Sequence, residues 1–460
     1  MVAVAKLLET VNLCFTHIGK NQPTLQDINL ELYPGEIVFL GGATGSGKST
    51  LLNCLTGISP HHIGGKLTGD ILYENNSILE LSVRERSHYI GTILQNVETQ
   101  IFTDKVIDEV IFGLENLSIS PDIIAQLTHQ SLQEFGLLPQ ENWLISQLSA
   151  GQKQRLIIAC VLAMNQPVLL LDEPFAYLDR GGSELLLQLL KERSHQGQTV
   201  LLIEHRWDLV NEICHRTYYF DQGKIHSGTV KSFFPQLSVT SSPTLSHIIL
   251  RTHQLSWGGY LPFPDLELYS GEIILLQGEN GCGKTTLLKL LSGLLKPTTG
   301  NIEICGQSII KKTVVQIAKN IGFVLQNPNH QLFAETVYQE VVQASVSAHL
   351  GEEILEKLNL RSLSELHPQS LSQGQKRRLA LAAVLARRPK ICLLDEITVG
   401  QDPQSLTLML QVLIDFTKQG AGLILTSHDL QIANYLPAKT CELVPSQSSS
   451  LPNDSNGHID

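Results

Sequence analysis

The stretch Gly42-Ala43-Thr44-Gly45-Ser46-Gly47-Lys48-Ser49-Thr50 follows the apolar run Ile37-Val38-Phe39-Leu40 and leads into Leu51-Leu52-Asn53-Cys54-Leu55. Its order is strand, glycine loop, helix. Glycines let backbone N–H groups converge on phosphate oxygens, Lys48 places a positive charge near the β- and γ-phosphates, and the Ser49 hydroxyl suits Mg²⁺. The same order returns at Gly278-Glu279-Asn280-Gly281-Cys282-Gly283-Lys284-Thr285-Thr286, after Ile273-Ile274-Leu275-Leu276. Two such loops, each in its structural context, predict an α/β chain with two P-loop domains and a nucleoside triphosphate at each.

Length and charge agree with two domains. At 460 residues the chain can bury a core in each half, at about 150 residues per domain. A formal charge of −11 argues against a surface that neutralises a nucleic-acid backbone. The longest apolar run, Leu156 to Met164, falls short of the ~18 residues that a membrane span requires. No signal-peptide pattern opens the chain, and the eight cysteines include no CxxC pair, so the reading is of reduced thiols in the cytosol.

Beyond the first loop, Pro34-Gly35-Glu36 marks a turn, and Tyr89 to Leu94 reads as a strand ending at Gln95. Val106, Val110, Leu114 and Leu117 fall at helical spacing, which serves a core stripe or a docking face equally well. Leu148-Ser149-Ala150-Gly151-Gln152 precedes an apolar helix. Val168-Leu169-Leu170-Leu171-Asp172-Glu173 then has the pattern of a buried parallel strand ending in two acids. An isolated Asp-Glu pair would be read as capping or solvation. Downstream of a P-loop, Asp172 suits Mg²⁺, directly or through water, and Glu173 suits activation of the attacking water. Thr199 to Ile203 is another strand, delivering His205 to the same edge.

The second half repeats these features as Lys284, Gln326, Ser372 with Gly374 and Gln375, Asp395-Glu396, and His428. The lysines lie 236 residues apart and the glutamines 231, while the serine, acid and histidine positions are each 223 apart. Length differences are therefore confined to the early part of the repeat. The expected domains are 1–236 and 246–444, joined by a linker at 237–245 and followed by a disordered tail at 445–460.

P-loop, Gln, LSxGQ, apolar-Asp-Glu and His, in this order and in two copies, resemble the ATP-binding-cassette family over nearly the whole chain. The resemblance implies P-loop ATPase domains, each with a mainly parallel core sheet, an antiparallel β subdomain and a helical subdomain. It further implies that two ATP molecules lie between head-to-tail cassettes, each phosphate chain meeting the P-loop of one half and the LSxGQ segment of the other. Lys48, Asp172, Glu173 and His205 would thus work with Ser372 and Gly374, and Lys284, Asp395, Glu396 and His428 with Ser149 and Gly151. Gln95 and Gln326 would sense Mg²⁺ and water. Both sets are complete, so two competent sites are expected. The second half departs from the family pattern at Ile397, where the first has Pro174, and at Val399-Gly400-Gln401-Asp402, against Ala176-Tyr177-Leu178-Asp179. For adenine stacking the candidates are His17, and Trp257 or Tyr260.

Segments after each glutamine narrow the resemblance. Gln95-Asn96-Val97-Glu98-Thr99-Gln100-Ile101-Phe102, with Val106, Glu109-Val110 and Phe112-Gly113-Leu114-Glu115-Asn116-Leu117, looks like the energy-coupling-factor ATPases. Gln326-Asn327-Pro328-Asn329-His330-Gln331-Leu332-Phe333, with Thr336-Val337 and Glu340-Val341, repeats the theme. This implies a fused ATPase pair, peripheral at the cytoplasmic face of the membrane, powering uptake of a vitamin or transition metal ion. Its partners would be a transmembrane coupling protein and a small substrate-binding membrane protein. The alternative is a soluble tandem cassette acting on ribosomes, although such proteins carry a long charged interdomain arm and residues 232–246 contain no Lys, Arg, Asp or Glu.

Overall fold

A computed structural model describes residues 5–228, 247–258, 262–427 and 432–443. The expected linker and tail, Tyr260 and His428 lie outside the described residues. The chain divides into two compact units, and each has the expected α/β architecture.

In the first unit, Ile37–Gly42, Ile90–Ile93, Val168–Asp172, Thr199–Ile203 and Arg216–Asp221 form a parallel sheet, with Lys224–Ser227 antiparallel at one edge. The P-loop strand lies near its centre, flanked by Thr199–Ile203 and Arg216–Asp221. Val168–Asp172 and Thr199–Ile203 are buried throughout, because helices and a second sheet cover both faces. Successive strand residues therefore enter different cores. Ile37 and Phe39 pack with the helices Val106–Asn116, Pro121–Glu134 and Ala150–Met164. Val38 and Leu40 pack with the P-loop helix Lys48–Thr56 and an antiparallel sheet built on Leu8–His17 and Gly65–Tyr73.

The second unit repeats the plan. Its parallel sheet has the order Ile321–Val324, Ile391–Asp395, Gly422–Thr426, Ile273–Gln277, Ala438–Glu442. An antiparallel sheet built on Ile248–Ser256 and Thr299–Ile304 covers one face, and helices including Gln373–Leu385 cover the other.

The stripe Val106, Val110 and Leu114 belongs to the core, with each residue fully buried, and Leu117 caps the helix end half-buried. No helix among the described residues is long and apolar enough to cross a membrane.

Candidate active sites

Each P-loop is shaped by left-handed glycines. Gly42 and Gly278 both have φ +149°, where an L side chain is strained. A Cβ would also lie 2.5 Å from the Phe220 carbonyl oxygen in the first loop and from that of Leu443 in the second. The lysines fold back over these loops. Lys48 Nζ donates to the carbonyls of Gly42 (2.6 Å) and Ala43 (2.8 Å), and Lys284 Nζ to those of Gly278 (2.7 Å) and Glu279 (3.0 Å). Burial lowers the Lys48 pKa, opposed by Glu173 and Asp172. Thr44, Gly45, Ser46, Gly47 and Thr50 complete the first loop and helix start, as Asn280, Gly281, Cys282, Gly283 and Thr286 do the second.

The hydroxyl after each lysine meets the acid at the end of the neighbouring apolar strand. Ser49 Oγ donates to Asp172 Oδ2 at 3.1 Å, and Thr285 Oγ1 donates to Asp395 Oδ2 at 2.9 Å. Burial and the adjoining Glu173 push Asp172 up to about 7; burial and Glu396 push Asp395 up to about 6. A hydroxyl and a buried carboxylate lacking a full counter-charge form an oxygen donor pair that fits a hard divalent cation such as Mg²⁺.

Glu173 and Glu396 both adopt positive φ, 51° and 53°, a conformation that persists when its surroundings over-determine it. Glu173 N–H donates to the Ile203 carbonyl at 2.9 Å, and Glu396 N–H to Thr426 Oγ1 at 2.9 Å. Gln95 Nε2 donates to Glu173 Oε1 at 2.8 Å, and His205 Nε2 lies 3.3 Å from the same oxygen. Burial alone would raise Glu173, but the hydrogen bond and charge of His205, with Gln95 and Lys48, hold it below the ordinary carboxylate range. Burial likewise opposes charge on His205, and Glu173 outweighs it and raises the imidazole. Gln95, Asp172, Glu173, His205 and the P-loop thus converge in the first unit. In the second, Asp395 and Thr285 converge, and Gln326 follows Ile321–Val324 as Gln95 follows Ile90–Ile93.

Ser149 and Ser372 are the N-caps of the apolar helices Ala150–Met164 and Gln373–Leu385. Each hydroxyl accepts the N–H of the glutamine three residues on (3.3 Å in both), and each glutamine Oε1 accepts the serine N–H (2.9 Å in both). This is a capping box, so Gln152 and Gln375 brace the helix start. Each serine hydroxyl also carries a proton it can donate, and Gly151 and Gly374 occupy the first turn.

The segments after Gln95 and Gln326 fold alike. Asn96 and Asn327 cap short turns, while Gln100 Oε1 and Gln331 Oε1 accept the Leu94 and Leu325 N–H groups, both at 2.7 Å. Glu109 then reaches back to accept from Phe102 N (3.1 Å) and Thr103 N (2.8 Å), and Glu340 from Phe333 N (2.8 Å) and Ala334 N (2.7 Å). The result holds Phe102 71% and Phe333 82% exposed.

His17 ends the strand Leu8–His17 with its ring edge-on to Phe15, and Trp257 follows Ile248–Ser256. Ile397, the departure from proline, is 1% exposed within the second unit's core. Three features were not singled out from the sequence. Arg86 is wholly buried and donates to the carbonyls of Cys54, Leu55, Leu79 and Leu81. Glu204 and Arg206 flank His205, and Thr426 Oγ1 holds both Asp395 and Glu396. A carboxylate closing an all-apolar strand was the available signal for Glu204.

The family described as ABC transporter matches residues 25–176 and 264–399. An ABC transporter ATP-binding protein of Methanosarcina mazei is 31% identical over 93% of this chain and 91% of its own. A Bacillus subtilis protein named as a candidate HMP/thiamine import ATP-binding protein, YkoD, is 30% identical over 94% and 89%. Among solved structures, ribosome-bound archaeal Pelota and ABCE1 gives a TM-score of 0.70 at 19% identity, over 93% of this chain and 76% of that one. RNase-L Inhibitor gives 0.64 at 20% identity, over 93% and 87%. At those identities the likeness is one of fold.

Proposed function

The chain belongs to the ABC transporter family as an ATPase of two fused ATP-binding cassettes, and we propose that it is the motor subunit of an energy-coupling-factor type importer. It would sit at the cytoplasmic face of the membrane and drive uptake of a vitamin or transition metal ion. A transmembrane coupling protein and a small substrate-binding membrane protein would be its partners. The observation that carries this reading is the pair of exposed phenylalanines, Phe102 and Phe333, each fixed by a glutamate in the segment following the glutamine. Exposed aromatic side chains on a pinned loop suit a contact with another protein. The Bacillus relative, named for HMP/thiamine import and of comparable length, adds support.

In this reading the cassettes occupy 1–236 and 246–444. The glycine loops with Lys48 and Lys284 hold the ATP phosphates, and Ser149, Gly151, Ser372 and Gly374 supply further phosphate donors. Ser49 with Asp172, and Thr285 with Asp395, would hold Mg²⁺, joined by Gln95 and Gln326. The ion, when bound, supplies neutralisation of phosphate charge. Glu173 and Glu396 accept the proton of the attacking water, and His205 and His428 orient them. Glu173→Gln or Glu396→Gln should slow hydrolysis at its own site about 10²–10⁴-fold.

Affinity purification from gently solubilised membranes tests the assignment, comparing the native chain with a Phe102→Ser, Phe333→Ser variant. Small integral membrane proteins should accompany the native chain and be lost from the variant, with its ATPase activity retained. Ribosomal particles recovered with the native chain, and no membrane protein, would replace this reading with the ribosomal alternative.

A further inference from the structure

The loop bearing His205 contains a clasp that the catalytic reading does not use. Glu204 is 4% exposed, and its Oε1 accepts three hydrogens: the backbone N–H of His205 (3.1 Å), that of Arg206 (3.2 Å) and Arg206 Nε–H (3.4 Å). Arg206 Nη2 donates to the carbonyl of Phe175 at 2.8 Å. Phe175, fully buried, stands two residues after Glu173, and His205 lies against Glu173 itself. The chain from Glu173 through Phe175 is thus tied at both ends to the His205 loop. A planar guanidinium can serve a carboxylate and a carbonyl at once, which a flexible ammonium does less well.

The second cassette has a different solution at the matching positions. Ser427 stands where the first has Glu204, and its hydroxyl lies 3.2 Å from that of Thr398, the counterpart of Phe175. Position 429, matching Arg206, is aspartate. Thr426 Oγ1, which accepts from Glu396 N–H, replaces the Ile203 carbonyl as the group beneath the glutamate. Both glutamates adopt positive φ, with a carboxylate–guanidinium tie beside the first and a pair of hydroxyls beside the second.

We propose that Glu204 and Arg206 are positioning residues of the first cassette, fixing Glu173 and His205 for hydrolysis, and that the second cassette positions its glutamate without them. The inference rests on Glu173 as the base. Its consequence is that turnover at one site can be tuned without touching the ATP contacts of either.

The test measures kcat and KM of the full chain, with and without Glu396→Gln. The first site is then read alone if the sites turn over independently, and through the native chain if they are obligately coupled. Arg206→Gln alters a partly exposed side chain and spares the core; with Glu204→Leu, it should lower kcat about 10-fold, the scale of a small misplacement of a catalytic group. KM and affinity for a non-hydrolysable ATP analogue should stay within about two-fold of native, since the clasp touches no P-loop group. Glu204→Gln, which keeps the acceptor oxygen, should recover most of the rate. An unchanged kcat in Arg206→Gln, or an equal loss of analogue affinity, overturns the proposal, the latter by showing a general structural role. A native rate in Glu173→Gln would overturn the base assignment itself, and is distinguishable because it needs no clasp variant.

Discussion

Replacing Glu109 with alanine should release the loop that presents Phe102 while leaving ATP chemistry intact. Glu109 is 4% exposed, and its carboxylate takes the Phe102 N–H, the Thr103 N–H and the Thr103 hydroxyl (3.1, 2.8 and 2.8 Å to Oε2). Hydrogen bonds to an ionised acceptor are worth about 1.5–3 kcal/mol each, but the freed loop groups regain water, so the three do not sum. A net loss of ~2–4 kcal/mol remains, which raises the opening equilibrium of the loop ~30- to ~1000-fold. Glu109→Gln keeps one acceptor oxygen and should lose about half of that free energy, because the charge is removed but not the geometry. Hydrogen exchange followed by mass spectrometry reads the amides of Phe102 and Thr103 directly, and the same preparations can be assayed for ATPase rate and for membrane-protein co-purification. Native exchange rates at those amides in Glu109→Ala would refute the reasoning, since the carboxylate would then not hold the loop. Faster exchange with partners fully retained would refute the docking role of Phe102 alone.

Arg86→Met should destabilise the end of the P-loop helix by roughly 2–4 kcal/mol, since the buried carbonyls of Cys54 and Leu55 lose their donor; faster exchange of the amides in 48–56 and a lower melting transition would show it. Gly278→Ala should abolish ATP binding at the second P-loop, because a Cβ there meets the Leu443 carbonyl at 2.5 Å, and calorimetry should find the stoichiometry reduced from two to one. Maleimide at pH 7 should label exposed Cys305 well before Cys54 and Cys214, whose thiols burial pushes up to about 12 and so keeps protonated and unreactive; peptide mapping gives the order.

Much of this was legible because the informative residues are local in sequence. A glycine loop between an apolar strand and a helix specifies its own backbone, and Gly42 and Gly278 adopt the same φ although their neighbours differ. Strands read from continuous apolar runs, such as Thr199–Ile203, were found with those bounds, since burial on both faces leaves no polar alternation to misread. Periodicity could not decide whether Val106, Val110 and Leu114 served core or partner, because an apolar stripe satisfies either; packing decided for the core, and the exposed aromatics lie just outside the stripe. Arg86 was invisible for a different reason. A charged residue in a short polar segment reads as surface, and four carbonyls from two separate stretches make it a core residue.

Several differences between the two cassettes fall at residues that pack around the candidate site rather than in it. Arg86 is matched by Ile317, buried in the second core, so a carbonyl-capping cation in one unit is an apolar filler in the other. Glu204 is matched by Ser427, Phe112 by Gln343, and Pro174 by Ile397. Lys, Ser or Thr, Gln, Asp, Glu and His recur in the sequence at matching positions, and the hydroxyl-to-aspartate contact differs by only 0.2 Å, from 3.1 to 2.9. Groups that must meet phosphate and water have little freedom, because a displacement of about 1 Å can cost ~10²-fold in rate. Groups that hold them need only supply the same rigidity, and an ionic tie, a hydroxyl pair or packed methylenes can each do so. Divergence at such supports is what two sites under the same chemical demand can tolerate, and it makes Glu204 and Arg206 a place where the cassettes can be distinguished experimentally. Exchanging those supports, with Glu204→Ser in one chain and Ser427→Glu in another, should alter turnover in the cassette that carries the change while both retain ATP.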